Sequence, residues 1–276
     1  MTIPESRRKR FAACLRQEDR SPGTIDKYLR DSAAFAAWLG ERPLTPETAA
    51  GWREHLTKGG YAPATVNSML SAVNRLLKFL GREECRIKFL RIQRRTFRER
   101  DRELTRAEYQ RLLDAAAGQE RLGLLMEAIC STGIRVSEVR YITVEAARAG
   151  RTEIRLKGKI RTILLPAKLC RKLLRYAKKH KTASGEIFLT GNGKPVSRKQ
   201  IWREMKKLCH KAGVESSKVF PHNLRHLFAT VFYSACRDIV KLADVLGHSS
   251  INTTRIYLMT SGAEHARQLE RLGLVT

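Results

Sequence analysis

The sequence predicts a mainly α-helical chain of two domains, with one small β-hairpin in the second. Three observations carry this. Between Ser21 and Gly81, helix starts built on proline recur, each followed by apolar residues at helical spacing. The stretch RIQRRTFRERDRE, Arg91 to Glu103, then almost lacks apolar residues. Beyond it, only the residues flanking Lys157-Gly158-Lys159 alternate as paired strands do. A chain of 276 residues exceeds a typical single domain, and each part is long enough to bury its own core.

Ser21-Pro22 supplies an N-cap and a proline at the first helical position, and Ile25, Tyr28, Leu29, Phe35, Trp38 and Leu39 form the apolar face until Gly40. Thr45-Pro46 repeats the signal for a shorter helix through Trp52 and Leu56. Pro63 opens a third, where Val66, Met69, Leu70, Val73, Leu76, Leu77 and Leu80 fall at i, i+3, i+4, i+7 spacing before Gly81. We therefore expect residues 1–90 to form a bundle of about four helices, with Lys58, Arg75 and Lys78 on its outer faces. Residues 91–103 read as a basic linker, either a solvated tether or a segment crossing a DNA backbone.

The second domain, 104–276, begins with Thr105-Arg-Ala-Glu108, a T-x-x-E capping box ahead of Tyr109, Leu112 and Leu113. Leu122 to Cys130 forms a second apolar helix that ends at Ser131-Thr132-Gly133. Thr152–Leu156 and Ile160–Leu165 read as the hairpin strands. After Pro166 the pattern is helical again, except at Gly191-Asn192-Gly193-Lys194-Pro195.

Lysine and arginine total 54 against 27 acidic residues, a net charge of +27 spread over both halves. Such an excess attracts a polyanion, and nucleic acid leads a generically basic surface because neutralising phosphates releases counterions. A membrane fits less well: no apolar run approaches the ~20 residues a span needs, and MTIPESRRKR lacks the apolar core of a signal peptide. A cytoplasmic protein is expected. The six cysteines, Cys14, Cys85, Cys130, Cys170, Cys209 and Cys236, form no CxxC pair and read as buried thiols. The seven histidines show no metal-ligand spacing, and no metal site is expected.

Four segments could carry chemistry: TGIRVSE with Arg135 and Glu138, LKGKIR with Lys157 and Lys159, PHNLRH with His222 and Arg225, and LGHSSINTTRIYL with His248 and Tyr257. Singly each has a plain structural reading. Arg135 could cap a glycine turn, and His222 and Arg225 could be an i, i+3 pair on a helix surface.

In order and spacing, the segments resemble the tyrosine recombinase (phage integrase) family over nearly the whole chain. TGIRVSE is similar to that family's first arginine box, PHNLRHLFAT to its HxxR box, and LGHSSINTTRIYL to its closing box. TIDKYLRDSAAFAAWL resembles the SAM-like core-binding domain of compact, Xer-like members. The resemblance implies a core-binding bundle followed by a catalytic domain. It also implies a site-specific recombinase that cuts and rejoins DNA through a 3'-phosphotyrosyl link, without cofactor.

The implied roles match what the reaction needs. Tyr257 would be the nucleophile, conserving the phosphodiester's energy in a covalent bond. Arg135 and Arg225 would bind the non-bridging oxygens bidentately, where charge develops. His222 would take the tyrosine's proton, and His248 would hydrogen-bond the scissile phosphate. A hairpin lysine would return a proton to the leaving 5'-oxygen. The family's lysine-glycine order favours Lys157, whereas ungapped counting from Arg135 favours Lys159. Glu138 would orient Arg135 or His222 from behind. His226 reads as structural, and Tyr233 and Cys236 as core.

The partner expected is double-stranded DNA, bound by four subunits on two sites, with an accessory protein as a further possible partner. SGAEHARQLERLGLVT, with Ala263, Ala266, Leu269 and Leu272 at helical spacing, is either an exchange helix passed to a neighbour or a helix packed on its own domain. The lack of an added N-terminal arm-binding domain favours simple inverted-repeat sites. Two other functions compete: a DNA-binding regulator that has lost catalysis, opposed by the presence of every box, and a type IB topoisomerase.

Overall fold

The computed structural model describes residues 5–92, 102–156, 159–248, 250–258, 267 and 270–272; the side chains of Arg155, Leu156, Lys159 and Leu258 are outside that description. The chain divides into two compact units, Met1–Arg94 and Arg95–Thr276. Among the described residues no helix is long and apolar enough to cross a membrane.

The first unit contains α1 (Glu5–Gln17), α2 (Pro22–Leu39), α3 (Pro46–Lys58) and α4 (Pro63–Phe79). The three proline starts fall where the sequence places them, and Ser21 and Thr45 accept backbone N–H groups of their first turns. The helix without such a signal is α1. It packs Phe11 and Leu15 on Ile25 and Leu76, while Phe35, Trp52, Leu70 and Leu77 form the larger core beside it. Arg75 is not merely solvated: Nε donates to Glu18 at 2.7 Å and Nη2 to the Cys14 sulfur at 2.9 Å, tying α4 to α1. Two asparagines on α4 hold the strand-like segment beyond it. Asn74 exchanges two hydrogen bonds with the backbone of Ile87, and Asn67 does the same with Leu90.

The second unit contains α5 (Arg106–Ala115), α6 (Glu120–Thr132), a 3-10 turn (Val136–Tyr141), α7 (Val144–Ala149), α8 (Ala167–Lys179), α9 (Arg198–Ala212), α10 (Pro221–Cys236), α11 (Ile239–Leu246) and α12 (Ile251–Arg255). Its sheet is the expected antiparallel hairpin, β1 (Arg151–Leu156) with β2 (Lys159–Leu164), in a register that pairs Ile154 with Arg161 and Leu156 with Lys159. The Thr105–Glu108 capping box forms: the Thr105 hydroxyl accepts the Glu108 N–H, and the Glu108 carboxylate accepts the Thr105 N–H at 2.8 Å. One continuous core, including Leu112, Leu125, Ile129, Ile154, Leu173, Met205 and Leu224, joins helices and hairpin.

Three expectations need correction. The irregular stretch between α8 and α9 is longer than its glycine-rich centre, because Ile187 and Phe188 are buried and Ile187 N–H bonds back to Ile142, which a helix there would prevent. Not every cysteine is buried: Cys236 is exposed at the end of α10, and Cys14 and Cys130 are half-buried. Of the two readings of Arg225, the helix-surface one fails: among the described residues it is the largest fully buried side chain, at 2% exposure. Lys157 lies outside the described residues, as do the Lys159 side chain, most of the linker, and Ala263, Ala266 and Leu269 of the C-terminal segment; Leu272 is exposed.

Candidate active site

The site is built on two helix ends. Helix α6 stops at Gly133, whose φ of 65° is left-handed and whose Cβ position is occupied: an added carbon there would lie 2.5 Å from the Phe228 ring on α10. Only glycine lets the chain turn this close to α10. Arg135 follows two residues later. Its backbone N–H donates to Glu138 at 2.9 Å, and its Nη1 reaches the same carboxylate at 2.9 Å.

Helix α11 stops at Gly247, φ 62°, with the His248 N–H donating back to Ala243 at 2.9 Å. Its terminal carbonyls, which have no partner within the helix, face three guanidinium groups. The Leu246 carbonyl accepts from Arg225 at 2.8 Å and also from Arg161 Nη1, and the Gly247 carbonyl accepts from Arg135 at 3.4 Å. The negative end of the helix dipole favours this gathering of cations.

Glu138 is the counter-charge. It is 1% exposed and takes Arg135 on Oε1 and Arg161 on Oε2, at 2.9 Å and 2.7 Å. A carboxylate so buried would be costly alone, and two arginines in hydrogen-bonding geometry offset that cost. It therefore sits behind the arginines, and Arg161 of β2 is a partner that the sequence reading passed over. Nothing in the spacing of LKGKIR indicates that β2 returns to face α11; that contact exists only in the folded hairpin.

Arg225 on α10 also donates Nη1 to the Gly133 carbonyl and sets Nη2 2.9 Å from Nε2 of His248. Burial, and then repulsion by Arg135, pulls its guanidinium down to about 10. The Tyr257 hydroxyl beside it works in the other direction. His248 is likewise pushed down, to about 4, by burial first and then by Arg225, Arg135, Arg161 and His222. Its ring is neutral at pH 7.

Tyr257 lies on a 3-10 turn, Ile256–Leu258, directly after α12, whose N-cap is Ser250. It is 7% exposed and packs on Ala229, Leu242 and Leu246, with Tyr233 half-buried at the edge of the cluster. Three histidines surround its ring. His248 is stacked on it at 5.8 Å between centroids with 11° between planes, His226 meets it edge-on at 4.8 Å, and His222 is tilted at 6.2 Å. His226 is the nearest of the three and, four residues after His222 on α10, shares the His222–Arg225 face, so the structural reading from its adjacency to Arg225 overlooks the i, i+4 relation.

The fold thus gathers Arg135, Glu138, His222, Arg225, His248 and Tyr257 from four elements far apart in sequence, and adds Arg161 and Thr254. A cluster of arginines fixed by hydrogen bonds, Arg225 buried and Arg135 open to solvent, beside a tyrosine can bind an oxyanion and stabilise charge growing on it.

Known proteins share this architecture. Residues 102–263 match the phage integrase family, and residues 9–84 match the phage integrase N-terminal SAM-like domain. The tyrosine recombinase XerA of Thermococcus kodakarensis is 28% identical, over 98% of this chain and 96% of its own length. Among solved structures, a lambda integrase(75-356) dimer bound to a COC' core site superposes with a TM-score of 0.72 and 20% identity, covering 95% of this chain and 97% of that one. A lambda integrase tetramer bound to a Holliday junction does so with a TM-score of 0.71 and 18% identity, covering 90% and 75%.

Proposed function

Since the chain belongs to the phage integrase family, the tyrosine recombinases, we propose that the cluster around Tyr257 is the catalytic centre of a site-specific DNA recombinase. The observation that carries this assignment is the buried Arg225, held by the carbonyls of Gly133 and Leu246 with its guanidinium against both His248 and Tyr257. An arginine immobilised in this way is preorganised for an anion and loses little entropy on meeting one.

In the first step the Tyr257 hydroxyl oxygen attacks the scissile phosphorus. A phosphotyrosyl bond forms and the bond to the 5'-oxygen breaks. Arg135 and Arg225 hold the non-bridging oxygens, His222 takes the tyrosine's proton, and His248 hydrogen-bonds the phosphate. The leaving 5'-oxygen receives a proton from the hairpin lysine, Lys157, with Lys159 as the alternative. Glu138 keeps the arginines in register. Attack by the 5'-hydroxyl of a second strand reverses the sequence, so no outside energy source is consumed.

One tyrosine per chain cuts one strand, so exchange between two duplexes calls for four subunits. The lambda integrase tetramer on a Holliday junction is a precedent in a protein of the same fold. The partner is double-stranded DNA, for which the charge of +27 is suited, and the natural substrate is an integrating, excising or resolving DNA element. We read the protein as cytoplasmic, since the DNA that such an enzyme works on lies there, and six free cysteines are compatible with a reducing compartment. Residues 1–90, 91–103 and 104–276 would act as core-binding domain, linker and catalytic domain.

The direct test exposes wild type and Tyr257→Phe to a library of nicked duplexes and sequences the DNA held in detergent-resistant adducts. Wild type should form adducts at a defined sequence, whereas the variant should bind DNA in a mobility shift and form none. Adducts formed by Tyr257→Phe would overturn the assignment.

A further inference from the structure

His248 makes two polar contacts that together determine where its proton sits. Nε2 is 2.9 Å from Nη2 of Arg225, and Nδ1 is 2.8 Å from Oγ1 of Thr254. A guanidinium nitrogen can only donate, so Nε2 must present its lone pair. In a neutral imidazole the proton then belongs to Nδ1, and the Thr254 hydroxyl is its acceptor. Thr254 is 0% exposed, so water does not stand ready to replace that oxygen. It also lies on α12, one turn before the tyrosine on which the His248 ring is stacked.

We infer that Thr254 is a positioning residue for strand cleavage: its hydroxyl holds the His248 ring flat against Tyr257, with the proton on Nδ1 and the Nε2 edge turned to the guanidinium of Arg225. The inference rests on the reading of His248 as a ligand of the scissile phosphate. A phosphate entering beside Arg225 takes the guanidinium's N–H and leaves Nε2 free. Nε2 then accepts one proton from solvent and donates it to a phosphate oxygen, while Nδ1–H stays on Thr254. The phosphate's negative charge favours the imidazolium against Arg225, Arg135, Arg161 and His222, the cationic or titratable groups that face the ring, and Tyr257 covers its flat side. Valine has threonine's shape without the oxygen. It would leave Nδ1–H buried and unpaired, and the ring would escape by turning or by moving its proton to Nε2, against Arg225.

The test compares Thr254→Val, Thr254→Ser, His248→Ala and the Thr254→Val/His248→Ala pair on the nicked duplex recovered by adduct sequencing. Cleavage is measured in single turnover at saturating DNA, and affinity separately by mobility shift. Thr254→Val should cleave about tenfold more slowly with unchanged affinity, Thr254→Ser should stay within about threefold of wild type, and the pair should be no slower than about twofold below His248→Ala alone. Wild-type cleavage by Thr254→Val beside a slow His248→Ala would overturn the inference, as would an undiminished effect of Thr254→Val without His248. A full rate in His248→Ala would instead sink the reading of His248, and this inference with it. Imidazole 15N shifts of the wild-type protein decide independently, even where the valine variant fails to fold: a proton on Nδ1 of His248 supports the assignment, and a proton on Nε2 refutes it.

Discussion

Nη2 of Arg161 lies 2.7 Å from Oε2 of Glu138, joining the second hairpin strand to the turn that carries Arg135. Both side chains are shielded from water, and Glu138 has no other counter-charge than Arg161 and Arg135 among the described residues. Glu138→Gln keeps the shape and removes the charge, leaving Arg161 in a dry site without its anion. Removal of one partner of a buried pair costs about 3 kcal/mol or more. The urea midpoint should fall accordingly, and adduct formation should drop because Arg135 loses its anchor. An unchanged midpoint would show that the pair contributes little.

Gly247 is the second weak point. Its φ of 62° suits glycine, and a Cβ added there would sit 2.6 Å from Arg161 Nη1. Gly247→Ala therefore combines a left-handed penalty of about 1 kcal/mol with displacement of Arg161 from the Leu246 carbonyl and from Glu138. Gly81→Ala, at φ 67° with nothing within 4 Å of its Cβ, controls for backbone strain alone. Thermal unfolding should show the larger loss at Gly247, and only that variant should also slow cleavage. Equal losses would mean that the Arg161 contact is dispensable.

The contrast between these residues indicates how far the sequence can be read. Proline starts, the capping box and the hairpin alternation are local, so Pro22, Pro46, Pro63, Thr105 and β1–β2 are legible without tertiary information. Helix α1 lacks a start signal, so the sequence indicates a fourth helix without locating it. The chemistry-bearing segments are legible by type and order, yet the contacts that hold them together are not. Arg161 meeting Glu138 spans 23 positions, and Arg225 meeting the Gly133 carbonyl spans 92. An HxxR pattern also cannot reveal that its arginine is buried while His222 stays exposed; burial depends on what α6 and α11 bring to the other side.

His248 gives the site a pH signature. Its ring is held at about 4 rather than its ordinary 6.5, by burial and then by the surrounding arginines. Below pH 6.5 the unfolded chain takes up a proton that the folded ring refuses, so this contribution is complete above 6.5, shrinks as the pH falls, and levels off below about 4. Urea midpoints at about pH 7.5 and about pH 5 should therefore differ more in wild type than in His248→Gln, whose amide does not titrate in that range. An equal loss in both proteins would assign the acid sensitivity to other groups.

The hairpin lysine is the remaining chemical assignment, and substrate chemistry can separate the two candidates. A general acid matters only while the leaving group needs a proton. An alkoxide needs one, whereas a 5'-thiolate is a far weaker base and leaves without help. We expect Lys157→Ala to cleave an ordinary 5'-oxygen substrate about a hundredfold or more slowly and to recover nearly wild-type rates on the 5'-bridging phosphorothiolate. Lys159→Ala should behave alike on both substrates. It begins β2 opposite Leu156, and a loss there would reflect hairpin placement or DNA affinity, which sulfur does not restore. Sulfur rescue of Lys159→Ala with none for Lys157→Ala would transfer the role to Lys159. Rescue of neither would mean that the proton comes from outside the hairpin.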